Sequence, residues 1–159
     1  MRIRILMVGK IKEKYLEAGI AEYRKRLGPY ARVELLSLPD EPIPEGASPA
    51  QEEQVKVREG ERLLRHLDDG TYVVALDLRG KNLSSEEFAA FLAERELRGQ
   101  SNLTFVIGGS LGLSPAVLRR ADFSLSLGRM TFPHQMVPLI LLEQIYRAYK
   151  INRGERYHK

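Results

Sequence analysis

The chain has 159 residues, 43% of them hydrophobic and 29% charged, with a net charge of +4. That balance is the composition of a soluble globular protein. It excludes a disordered chain, and the length fits one domain over residues 1–159 with a real core but no separate recognition domain. The absence of cysteine excludes disulfides, a thiolate metal site and a cysteine nucleophile, and no apolar run is long enough for a signal peptide or a membrane span. A cytoplasmic protein is therefore expected.

In chain order, Ile3–Val8 is the first of several short apolar runs. Lys12–Leu27 follows, placing Tyr15, Leu16, Ile20, Tyr23 and Leu27 at three- and four-residue intervals, the period of a helix with one buried face. Val33–Leu38 is again apolar. Pro39–Pro49 carries four prolines and reads as a surface loop, too short to separate two domains. Pro49–Leu67 is a charged helix with Val55, Leu63, Leu64 and Leu67 as its apolar positions. Tyr72–Leu78 is a strand, and Ser84–Leu97 is a helix whose Ser84 and Glu87 have capping-box spacing. Leu103–Ile107 is a strand, Pro115–Arg120 a short helix with Ser114 as N-cap, and Phe123–Leu127 a weaker strand. Runs this continuously apolar are strands covered on both faces. The alternation predicts an α/β fold with a mainly parallel sheet flanked by helices.

The final helix, about His134 to Asn152, is apolar on most sides, from Met136 and Val137 to Tyr149 and Ile151. A helix of that kind must be covered on most sides. Cover by a second copy in a homodimer is the expectation, with a central helix in a monomer as the alternative. Pro138 is tolerated only in the first helical turn. Beyond it, Arg147, Lys150, Arg153, Arg156 and Lys159 against Glu155 give this end +4, so residues 1–146 balance to zero. Positive charge gathered at one end points to a polyanionic partner.

Three strand ends run into glycine-rich or polar loops: Asp77–Lys81, Gly108-Gly109-Ser110-Leu111-Gly112, and Leu127–Gln135. Open α/β sheets hold ligands at such ends. The second loop is neither a dinucleotide fingerprint nor a Walker A loop, and by itself it leaves a tight turn and a ligand loop equally open. Met130 and Phe132 make the third loop awkward in open water, so it should pack on a core or on a flat ligand. His66 reads as a solvated helix residue, His134 as a helix cap, and His158 as part of a tail that is disordered by default. The histidines make a poor metal site, and no metal is expected.

Four motifs in order carry a resemblance: Gly108–Ser114, Met130-Thr131-Phe132-Pro133-His134, Glu143–Ala148, and Tyr157-His158-Lys159. Together with Val8-Gly9-Lys10 and Glu22–Arg26, they make the whole chain similar to the RlmH (YbeA-type) ribosomal RNA methyltransferases of the SPOUT class. The resemblance implies a trefoil knot at the C-terminal end of the sheet, a homodimer, and S-adenosylmethionine held in bent form by loop backbone. Carried over by position, the cofactor contacts fall at Leu76, Gly108, Leu127, Gly128, Arg129, Met130, Thr131 and Phe132. One departure is Pro138, which stands where members of that family often carry Arg.

The activity so implied is methylation of N3 of pseudouridine 1915 in helix 69 of 23S ribosomal RNA, on the ribosome. An imide N–H is a weak acid, so a base or a cation beside the anion would help. His158 is the candidate base and Arg147 the candidate anion stabiliser. Tyr157 is assigned to stack on or position the target base, and Glu143, four residues before Arg147, to orient it. The rivals are an α/β enzyme acting on a small substrate and a non-catalytic relative that binds RNA or cofactor.

Overall fold

The computed structural model describes residues 1–159. Its elements are β1 (Arg2–Val8), α1 (Lys14–Leu27), β2 (Arg32–Leu38), α2 (Pro49–Arg65), β3 (Tyr72–Asn82), α3 (Ser85–Leu97), β4 (Asn102–Ile107), α4 (Pro115–Arg120), β5 (Phe123–Ser126) and α5 (Val137–Asn152). The strands form one sheet in the order β2-β1-β4-β3-β5, every pair parallel. The expected α/β architecture is therefore the one observed.

Side-chain alternation along each strand divides the interior in two. Ile3, Ile5 and Met7 of β1 pack with α1, α3 and α5, whereas Leu6 and Val8 face Leu63 of α2 and Val117 of α4. Both faces are covered, which is why the strands read as unbroken apolar runs. The helix starts follow local chemistry. Ser48 with Gln51 and Ser84 with Glu87 each form a complete capping box, and Ser114 Oγ accepts from Val117 N–H. Such a cap contributes about 1 kcal/mol.

Two expectations need correction. The first concerns β3, which does not end at Leu78. Leu125 pairs with both Leu76 and Lys81, so residues 77–80 arch out of the sheet before the strand resumes. Gly80 permits this because a Cβ there would lie 2.8 Å from the carbonyl carbon and oxygen of Ser124. The glycine marks a close backbone approach within that arch. The second concerns His134, which caps nothing; it opens a single 3-10 turn, His134–Met136, behind Pro133, and α5 proper begins at Val137 with Pro138 in its first turn.

Cover of α5 by its own chain does not bear on the expected second copy. No residue of Val137–Ile151 is fully exposed, because α1 and α3 flank the helix on the sheet. Its cover comes in large part from within the chain. Leu141, Leu142 and Ile145 are wholly buried, each stabilising by about 1.5–3 kcal/mol. The Pro39–Pro49 stretch is also no free tether, since Glu41 pairs with Arg62 and with Arg58 of α2.

Candidate active site

The arch of β3 and the carboxyl ends of β4 and β5 surround a cleft of about 600 Å³. The three loops singled out by sequence meet there, as ligand sites in open α/β sheets do. Leu76, Gly108, Leu127, Gly128, Thr131 and Phe132 line it; Arg129 and Met130, expected among them, do not. Met130 is 78% exposed, so this apolar side chain finds no cover within the chain.

The wall formed by the second loop presents glycine backbone at Gly108, Gly109 and Gly112 beside Ser110 and Leu111. A Cβ on Gly108 would lie 2.8 Å from the carbonyl carbon and oxygen of Gly112, so only glycine lets the loop fold so tightly on itself. Gly112 N–H closes the turn onto Gly109 O at 3.0 Å. At the third loop, buried Ser126 Oγ donates to Gly128 O at 2.9 Å and accepts from Gly128 N at 3.2 Å. Behind the second loop lies Glu59 of α2, whose buried carboxylate accepts Glu41 N–H at 3.0 Å. Burial pushes its pKa up, against the lowering effect of that hydrogen bond.

Neither Asp77 nor His134 carries a ligand role in the sequence reading, yet both line the cleft. Asp77 is the first charged residue after the apolar run of β3, which was the available signal. Its nearest cation, Arg79, is 4.0 Å away.

The C-terminal tail is ordered by contacts with its own chain. It turns at Gly154 and returns along α5, so that Tyr157 Oη donates to Glu143 Oε1 at 3.0 Å. Arg147 holds the same carboxylate through Nε at 3.0 Å and through its second terminal nitrogen. Its remaining terminal nitrogen meets His158 Nδ1 at 3.1 Å. A guanidinium only donates, so Nδ1 is the acceptor, and the ring proton sits on Nε2, 2.7 Å from Glu86 Oε1. The hydrogen bond to Glu143 raises the Arg147 pKa. Burial, then the bonds to Tyr23 and Glu143, push the Tyr157 phenol up. The hydrogen bond from His158 lowers Glu86. The four residues assigned to chemistry thus form one cluster, but none of them lines the large cleft.

In and around that cluster, cations lie over aromatic rings. Arg147 lies over Tyr157 at 4.8 Å, Arg26 over Tyr23 at 5.0 Å and Arg153 over Tyr30 at 4.7 Å. His66, as expected, is exposed at the end of α2. No cluster of three or more metal-ligating side chains is present, and no helix is long and apolar enough to cross a membrane.

Residues 1–158 match the family described as "Predicted SPOUT methyltransferase". The chain belongs to the SPOUT methyltransferase family. Among its SPOUT relatives is the protein named ribosomal RNA large subunit methyltransferase H of Symbiobacterium thermophilum, 74% identical over the full length of both chains. Proteins of the same name from Carboxydothermus hydrogenoformans and Bifidobacterium adolescentis are 64% and 54% identical, again over both full lengths. A solved structure of a probable methylase family protein from Haemophilus influenzae superposes with a TM-score of 0.53 at 15% identity. It covers 96% of this chain, which spans 66% of that one. At that identity the likeness speaks for the fold alone.

Proposed function

We propose that this chain transfers the methyl group of S-adenosylmethionine to N3 of a pseudouridine in the helix 69 loop of 23S ribosomal RNA. The reading has it work in the cytoplasm as a homodimer, one domain per chain, with a trefoil knot formed by the cleft loops. The observation that carries it is the glycine-walled cleft at the arch of β3 and the ends of β4 and β5, in a chain whose full-length relatives are named as ribosomal RNA methyltransferases.

The cleft fits the donor. Its size suits a nucleoside with a short tail, bare backbone at Gly108 offers amides to an adenine edge, and Leu76, Leu127 and Phe132 supply apolar faces. Asp77 is the anion available to a positively charged donor. Arg129 and Met130 reach the donor only if their loop closes over it. When bound, S-adenosylmethionine supplies an electrophilic methyl: an N3–CH3 bond forms as the S–CH3 bond breaks, leaving a thioether, and the N3 proton passes to a base. The protein's share is alignment and acceptor deprotonation.

His158 takes that proton at Nδ1, once Arg147 releases it. Arg147 is then free to face the imide anion while Glu143 keeps it oriented, and Tyr157 positions the target base. RNA phosphates are gripped by Arg26, Lys150, Arg153 and the basic tail, with the neighbouring tyrosines offered to unstacked bases. The engaged state of both His158 nitrogens is the one observation favouring a non-catalytic relative. Tritiated-methyl transfer to ribosomes and to free ribosomal RNA decides between them. Label on the helix 69 pseudouridine is expected, and its absence from both substrates would refute the proposal.

A further inference from the structure

A second cleft, of about 280 Å³, adjoins the first, and Leu125 and Leu127 line both. Phe88 and Ile140 contribute apolar wall, while Ser85 and Gln144 bring polar groups to it. The volume holds one nucleobase with part of its sugar.

Gln144 is fixed at both ends of its amide. Glu143, whose carboxylate pairs with Arg147, serves as acceptor, so the amide nitrogen faces it: Nε2 donates to Glu143 Oε2 at 3.1 Å. The amide oxygen accepts from Ser85 Oγ at 2.8 Å. Each end keeps one unused capacity, one N–H and one carbonyl lone pair, on the same planar amide. Their complement is a ring edge presenting C=O beside N–H. Apolar walls around such an amide suit a flat pyrimidine swung out of an RNA loop.

The two isomers of the target differ on this edge. Uridine is glycosylated at N1, and its only ring N–H is N3, the proposed methyl acceptor. Pseudouridine is linked through carbon and retains N–H at both N1 and N3. An amide bound to N1–H and C2=O therefore grips pseudouridine while N3 and the C4 carbonyl stay free. Bound to N3–H, it would block the reaction.

We infer that the smaller cleft is the acceptor-base subsite, and that Gln144 selects pseudouridine over uridine by pairing with N1–H and C2=O. N3 then faces the shared wall at Leu127 and the donor cleft beyond it. Through Glu143, the same amide is tied to Arg147 and His158, so base recognition and the proposed proton acceptor share one hydrogen-bonded chain. The inference rests on the reaction proposed above.

The test is single-turnover methylation of two ribosome preparations, one with pseudouridine at the target position and one with uridine there. Wild type, Gln144→Met and Ser85→Ala are compared, with S-adenosylmethionine affinity measured by calorimetry. Wild type should favour pseudouridine. Gln144→Met, of similar length but without the amide, should lower the pseudouridine-to-uridine rate ratio by about 10- to 100-fold, the value of one bidentate pair. Ser85→Ala should lower it by less. Donor affinity should hold in both variants, which also shows that they are folded. An unchanged ratio in Gln144→Met, or a donor affinity that falls in step with the rate, would overturn the inference. A wild type that methylates pseudouridine and uridine equally would do the same while sparing the proposed reaction. A wild type that methylates neither ribosome would remove both.

Discussion

Gly108→Ala places the cofactor loop under the most direct strain. The new Cβ would sit 2.8 Å from the carbonyl carbon and oxygen of Gly112 and 3.1 Å from Leu113 Cδ2. The Leu113 methyl can turn aside. The Gly112 carbonyl belongs to the turn that closes the loop and must move with it. Overpacking of this kind costs about 1–3 kcal/mol. In a chain of this size each kcal/mol lowers Tm by about 2–4 °C. Gly109→Ala is the built-in control: its Cβ would meet the Glu59 carboxylate at 3.0 Å, the far end of a flexible side chain. Melting by calorimetry and titration with S-adenosylmethionine should show Gly108→Ala losing both stability and donor affinity, and Gly109→Ala losing less of each. If Gly108→Ala melts and binds like wild type, the loop is not the tight backbone wall described here.

His158→Ala and Arg147→Ala should each slow single-turnover methylation by about 10²- to 10⁴-fold with donor affinity unchanged, since neither lines the donor cleft. Glu143→Ala removes the acceptor shared by Arg147 and Tyr157, a loss of roughly 1.5–3 kcal/mol, and should expose the tail to trypsin at Arg153 and Arg156. Glu59→Gln should stabilise the protein at neutral pH. The folded pKa is raised above the ordinary 4.5, so the ionised carboxylate penalises the fold above that range and ceases to do so below it; chemical denaturation at two pH values should show the gain vanish in acid. RNA affinity should fall steeply with salt, and Arg153→Ala should flatten the log–log slope by about 0.7.

Much of the fold was legible because its signals are local. Ser84 and Glu87, or Ser114 before Pro115, announce helix starts with residues a few positions apart. Continuous apolar runs in β1 and β4 announce burial on two faces. The close approach at Gly80 is not legible for the opposite reason: its meaning lies in the backbone of β5, more than forty residues on, and nothing beside it in the chain says so. The exposed Met130 and the engaged nitrogens of His158 are likewise facts about neighbours far away in sequence. Gln144 stands inside the Glu143–Ala148 motif, but no role for it is legible until Ser85 and Glu143 fix its amide.

Residue order by itself determined the alternation of strands and helices, the three glycine-rich or polar loops, the charge gathered at the tail and, through its motifs, the family. These depend on side-chain type and short spacings, which survive without coordinates. Only the tertiary structure decided that the tail folds back on α5, that the proposed chemical groups cluster outside the donor cleft, and that a smaller cleft adjoins it. Those arrangements come from packing and hydrogen bonds between segments far apart in the chain, whose geometry no local pattern encodes.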